Sequence, residues 1–123
     1  MLALLAPGQG SQTPGMLTPW IVDSDSRQLL TTWSEAIDLD LLHLGTQADA
    51  DEIRDTANAQ PLIVAAGLLS ARALGADKEI SFMAGHSVGE ITAAAIAGVF
   101  SEVDALRLVR TRGVEMAKAA IGS

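Results

Sequence analysis

The 123-residue sequence has no cysteine and no tyrosine. The first absence excludes disulfides, thiolate catalysis and cysteine-ligated zinc. With only His43 and His86, a histidine-rich metal site is not expected either. Aromatic residues make up 3% of the chain, so any core must be aliphatic. Alanine (21) and leucine (16) supply it, with two tryptophans and two phenylalanines as the large fillers. Basic charge is also scarce. The net charge of −7 gives no footprint for nucleic acid, which needs a basic face. No apolar run approaches the ~20 residues of a membrane span. The start, Met1 to Gly8, lacks a basic region and a long apolar stretch, which argues against a secretory signal and for a cytoplasmic protein.

What is present reads as one globular domain, since 49% of the residues are hydrophobic and 19% charged. The charge is uneven. Residues 1–60 hold nine acids against Arg27 and Arg54, whereas residues 61–123 hold six of each sign. Four of the eight bases (Arg107, Arg110, Arg112 and Lys118) fall after residue 100.

Leu2 to Ala6 is a short apolar run stopped by Pro7-Gly8, and reads as a fully buried strand. A long Gly/Pro-rich loop over 7–19 follows, in the place where α/β folds put ligands. Residues 24–38 carry Leu29, Leu30, Trp33, Ala36 and Ile37 at helical spacing. Asp38 to Gly45 reads as a connector with a Leu-rich face. Asp49 with Glu52 predicts a capping box and a short helix to about Ala57. Pro61 at an early position predicts a helix over 61–74, ended by Gly75. Ile80 to Ala84 is a second strand. Val88 to Gly98 reads as a helix apolar nearly all round, hence buried between layers. Ser101 with Asp104 opens a last helix to about Ala120. Strands separated by helices predict an α/β fold with a parallel sheet. Two strands are fewer than such a sheet needs, so the chain reads as the first part of a larger domain.

The chemistry centres on Gly85-His86-Ser87-Val88-Gly89, a G-x-S-x-G pattern between the second strand and the Ala-rich helix. A serine there sits on a sharp strand-to-helix turn with its hydroxyl projecting clear of the sheet. Small residues two before and two after let the backbone turn without clashes. The helix N-terminus and the Val88 N–H then stand ready to stabilise an oxyanion. Gly8-Gln9-Gly10-Ser11-Gln12 fails as a dinucleotide fingerprint, because the third glycine position holds Thr13. It reads better as a backbone loop that supplies a second oxyanion N–H. His86 is adjacent to Ser87 and leaves the turn in another direction, so it is expected to pack or hydrogen-bond locally rather than act as the base. His43 reads as a satisfied structural residue. No histidine follows His86, so the general base a serine nucleophile needs is missing from the set. On the last helix, Arg110 and Arg112 both emerge from apolar neighbours, whereas Arg107 looks solvated. Either could hold a carboxylate bidentately or form an ion pair with Glu115 or Asp104, and spacing does not choose between them.

Taken together, Pro7-Gly8-Gln9-Gly10-Ser11-Gln12, Gln60-Pro61, Gly85-His86-Ser87-Val88-Gly89-Glu90, and Arg112-Gly113 followed by Met116 resemble the malonyl-CoA:acyl carrier protein transacylases of fatty-acid synthesis. The likeness runs in order from residue 1 to 123 and, beginning at Met1, looks like the free-standing form. It implies an α/β-hydrolase-like core with parallel strands and a nucleophile elbow, of which residues 1–123 are the N-terminal part. The family's ferredoxin-like subdomain, its remaining strands and its base histidine would lie outside this chain, leaving the segment alone inactive or nearly so. It further implies Ser87 as nucleophile, the backbone N–H groups of Gln9 and Val88 as oxyanion hole, and Arg112 on the malonyl carboxylate. Gln60 and His86 would lie close by in the substrate pocket. The implied partners are malonyl-CoA and acyl carrier protein, with no nucleic acid or membrane and no metal or redox cofactor. Two other readings compete: a serine esterase with the same elbow, and a non-catalytic segment whose role is association.

Overall fold

A computed structural model describes residues 2–75 and 80–122. The order of elements is β1 (Ala3–Ala6), a 3-10 turn (Thr18–Trp20), α1 (Ser24–Ile37), α2 (Leu41–Thr46), α3 (Ala50–Arg54), α4 (Thr56–Leu74), β2 (Phe82–Gly85), α5 (Gly89–Ile96) and α6 (Glu102–Gly122). The two strands pair in parallel, with Ala3 opposite Phe82 and Ala6 opposite Gly85. Helices α1 to α4 form the crossover between them, as a parallel pairing requires.

Short side chains fix the helix starts. The Asp23 carboxylate accepts from the Ser26 N–H at 2.7 Å and starts α1. That bond, with the Ser26 side chain, holds the Asp23 carboxyl below the usual carboxylate range. Asp38 ends α1 in the left-handed conformation (φ 51°), its N–H bonded to Ser34 O. Asp49 accepts from the Glu52 N–H at 2.9 Å. The box is only half made, because the Glu52 carboxylate instead meets His43 Nε2 at 3.0 Å. Ser101 Oγ accepts from the Asp104 N–H at 3.1 Å, as its spacing predicts.

Five expectations need correcting. The stretch 38–45 is not a bare connector: Asp40 caps a short helix, α2, by accepting from the His43 N–H. Next, α3 stops at Arg54 rather than near Ala57, and α4 begins at Thr56 rather than 61. Asp55 is the physical reason, since its carboxylate accepts from the Ala57 N–H at 2.9 Å and nucleates α4 a turn early. Pro61 therefore lies inside the helix, where its missing N–H leaves the carbonyl of Ala57 without its usual donor. The second strand begins at Phe82, two residues later than expected. Finally, β1 is not fully buried: only Ala6 is, and Leu5 is 76% exposed.

The core lies among the helices instead. Trp33, Leu17, Leu30, Leu41, Ile53, Leu62 and Leu106 are buried, and α4 packs along α6. The expected buried helix after the elbow is half borne out, with Thr92, Ala93 and Ala95 buried and Ile91, Ala94 and Ile96 only partly so. Across the far end of this layer, Arg72 grips Glu102 with both Nε (3.1 Å) and Nη2 (2.7 Å). The pairing tethers α4 to α6 and raises the arginine's pKa above its ordinary value.

Candidate functional site

The turn between β2 and α5 is built by exclusion. A Cβ on Gly85 would lie 2.1 Å from the carbonyl of Gly89. A Cβ on Gly89 would lie 2.2 Å from Ala6 O and 2.7 Å from Pro7 O. Neither clash can relax, because every atom met is backbone. The two glycines thus let β1, β2 and α5 close on one another. Between them Ser87 takes φ +56°, a left-handed conformation that costs a non-glycine residue of order 1 kcal/mol or more. The chain reverses there: the His86 N–H donates to Ala6 O at 3.0 Å, and His86 O accepts from the Gly89 N–H at 2.9 Å. Ser87 is exposed while Val88 beside it is fully buried, so the hydroxyl stands out over the start of α5.

The 7–12 loop is pressed against this turn. A Cβ on Gly8 would lie 2.6 Å from His86 O and 3.0 Å from its ring carbon Cδ2. That places the His86 ring over Gly8 as a local packing group. The loop folds on itself through Ser11 Oγ to Gly8 O (2.8 Å) and the Gly10 N–H to Gln12 Oε1 (2.8 Å). Its Gln9 side chain ties it to α4, Nε2 donating to Thr56 Oγ1 at 3.0 Å.

Helix α6 crosses α4 where Gly113 lies against Thr56 and Ala57; a Cβ there would come within 3.0 Å of Thr56 O. This approach separates the two arginines that spacing could not. Arg110 turns inward to backbone, with Nε donating to Ile37 O at 3.2 Å and Nη1 3.5 Å from the carbonyl of Ala57 that Pro61 leaves free. Arg112 turns toward the elbow. Its Nη1 donates to Gln60 Oε1 at 2.9 Å and its Nη2 to Ser87 Oγ at 3.3 Å. Gln60 is 1% exposed and uses its other end, Nε2, toward Met116 Sδ at 3.1 Å.

Ser87, Arg112, Gln60 and Val88 therefore converge, with Gln9 on the adjoining loop. An ion pair of Arg112 with Glu115 or Asp104 does not form: Glu115 meets Lys118 and Asp104 meets Arg107. His43 is occupied by Glu52. The residues that sequence reasoning missed are Thr56, Met116 as a bonding partner, and Arg110 as a backbone clasp. Met116 was visible four positions after Arg112, but only as an apolar neighbour. Chemically, the arrangement offers an exposed hydroxyl at a helix N-terminus with a permanent cation touching it.

Known proteins resemble this chain in sequence and fold. A model of the acyl transferase domain matches residues 4–123. The malonyl CoA-acyl carrier protein transacylase of Mycobacterium tuberculosis is 57% identical over 124 residues, covering 97% of this chain and 41% of the relative. That of Bacillus subtilis is 38% identical, over 96% and 30% respectively. The crystal structure of MCAT from Mycobacterium tuberculosis superposes with a TM-score of 0.93 at 55% identity, over 100% of this chain and 42% of that one. A malonyl-transacylase solved in complex with its type II PKS acyl-carrier protein gives 0.86 at 36% identity, over 96% and 39%. The chain thus spans between 30% and 42% of the length of these relatives, and no helix among its described residues is long and apolar enough to cross a membrane. With a family model matched over residues 4–123, nearly its whole length, the chain belongs to the acyl transferase domain family.

Proposed function

We propose that this protein provides the nucleophile and carboxylate-binding half of a malonyl-CoA:acyl carrier protein transacylase acting in cytoplasmic fatty-acid synthesis. The observation that carries the reading is Arg112, with one guanidinium nitrogen on Gln60 and the other 3.3 Å from Ser87 Oγ. A cation at that distance suits an acyl group whose own carboxylate lies a single carbon beyond the carbonyl under attack.

The steps follow from these groups. Ser87 Oγ attacks the thioester carbonyl of malonyl-CoA, losing its proton to a base. The oxyanion is held by the N–H groups of Gln9 and Val88, a reading supported by the close approach of Gly8, next to Gln9, to His86 of the elbow. The intermediate collapses by breaking the C–S bond, and CoA leaves as its thiol, taking a proton. Malonyl remains as an ester on Ser87, its carboxylate on Arg112. The phosphopantetheine thiol of acyl carrier protein attacks this ester in turn, and Ser87 recovers its proton. No metal or redox cofactor enters the scheme. Among the described residues no histidine ring hydrogen-bonds to Ser87 Oγ, so the base comes from beyond this constellation.

The test is a chimera in which this chain replaces the matching part of the Mycobacterium tuberculosis relative. Malonyl transfer is expected, with one malonyl group found on the protein by intact mass, and none in Ser87→Ala. Arg112→Ala should remove preference for malonyl over acetyl donors, an effect on the order of 2–5 kcal/mol for a desolvated charged contact. A chimera that cleaves simple esters and is indifferent to Arg112 would instead be an esterase.

A further inference from the structure

We infer that Met116 is a positioning residue for the carboxylate site, acting through the buried amide of Gln60; the inference deepens the reading of Arg112 given above. Gln60 is almost wholly buried between α4 and α6, and its two ends have different partners. Arg112 has only donors, so its Nη1 can be met only by the amide oxygen. That choice aims the NH2 group the other way, where it needs an acceptor. Met116 Sδ is the acceptor at 3.1 Å. Were the amide turned over, its NH2 would face the guanidinium, donor against donor, and its oxygen would face the sulfur lone pairs. The arginine and the thioether therefore fix together which way round Gln60 sits.

Helix geometry makes this a coupled set. Arg112 and Met116 are four residues apart on α6 and share a face. Gln60 reaches both from α4, so one amide holds the arginine and is itself held one turn away. With Nη1 fixed, the remaining guanidinium donors are confined to the Ser87 side. The oxygen of Gln60 is taken by Arg112 and its NH2 is turned toward the sulfur, so Gln60 serves the carboxylate by holding Arg112.

The experiment is made on this chain, with malonate and acetate as probes and the Gln60 side-chain amide followed by nitrogen-15 NMR. Met116→Leu keeps the volume and removes the acceptor. It should shift the Gln60 NH2 signals, speed their exchange with water and weaken malonate binding about three- to tenfold, the share of one ordinary hydrogen bond. Acetate binding and the melting temperature should change little. Met116→Gln, which restores an acceptor, should recover most of the malonate affinity. In the chimera, Met116→Leu should raise KM for the malonyl donor while leaving kcat nearly unchanged. Unchanged Gln60 signals with unchanged malonate affinity would overturn the inference. So would equal weakening in Met116→Leu and Met116→Gln, which marks a packing role. Wild-type chain that binds malonate no better than acetate would overturn the carboxylate-site reading, while the Gln60 signals still judge the amide's orientation independently.

Discussion

The helical layer and the two-stranded sheet of this molecule treat their apolar residues in opposite ways. In the layer, Trp33, Leu30, Leu62 and Leu106 are nearly or fully buried. On the strands, Leu5 and Phe82 are 76% and 61% exposed. Yet the elbow, the feature with most chemical consequence, is attached to the exposed region. Its shape does not come from burial. It comes from backbone packed on backbone at Gly85 and Gly89, and from the carbonyls of Ala6 and Pro7 that no side chain could approach. Hydrophobic burial stabilises one region, and steric exclusion shapes the other.

Substitutions can break or sharpen this contrast. The largest loss is expected in the layer: Trp33→Ala should cost about 3–5 kcal/mol by chemical denaturation, through lost burial and the cavity left behind. Next comes Gly89→Ala, at about 3 kcal/mol, because the added methyl meets only backbone. It should also alter the NMR signals of Ser87 and Arg112, which a purely apolar loss elsewhere would leave alone. A smaller effect of opposite sign is expected at Thr92, whose buried hydroxyl has no partner while its methyl lies over Gly67. Thr92→Val keeps the shape and should stabilise by about 1 kcal/mol in a thermal melt. The smallest effect belongs to the sheet, where Leu5→Ser and Phe82→Ser should each stay within about 0.5 kcal/mol. A core-sized loss at either position would mean that the sheet face is covered in solution and that the contrast fails.

Much of this was legible in the sequence. The helices starting at Ser24 and Glu102 follow from apolar spacing and a capping side chain at Asp23 and Ser101, both local signals. The elbow was legible for the same reason, since G-x-S-x-G between an apolar run and an Ala-rich run leaves few other conformations. The start of α4 is not legible because Pro61 signals a helix opening, whereas Asp55 six residues earlier makes the stronger cap. Strand burial was misread because a continuous apolar run reports what a strand prefers to touch, not what is present to touch it. The choice between Arg110 and Arg112 was invisible in spacing, since both have apolar neighbours one turn away on either side.

By itself, then, the sequence determined the local caps and marked the position of the elbow, because each depends on residues within a few positions of one another. Only the tertiary structure decided which arginine faces that serine. The choice depends on how closely α6 can approach α4 at Gly113, and on the carbonyl that Pro61 releases to Arg110. Gln60 and Met116 lie 56 positions apart in the chain, and nothing short of the packed helices brings that amide to that sulfur.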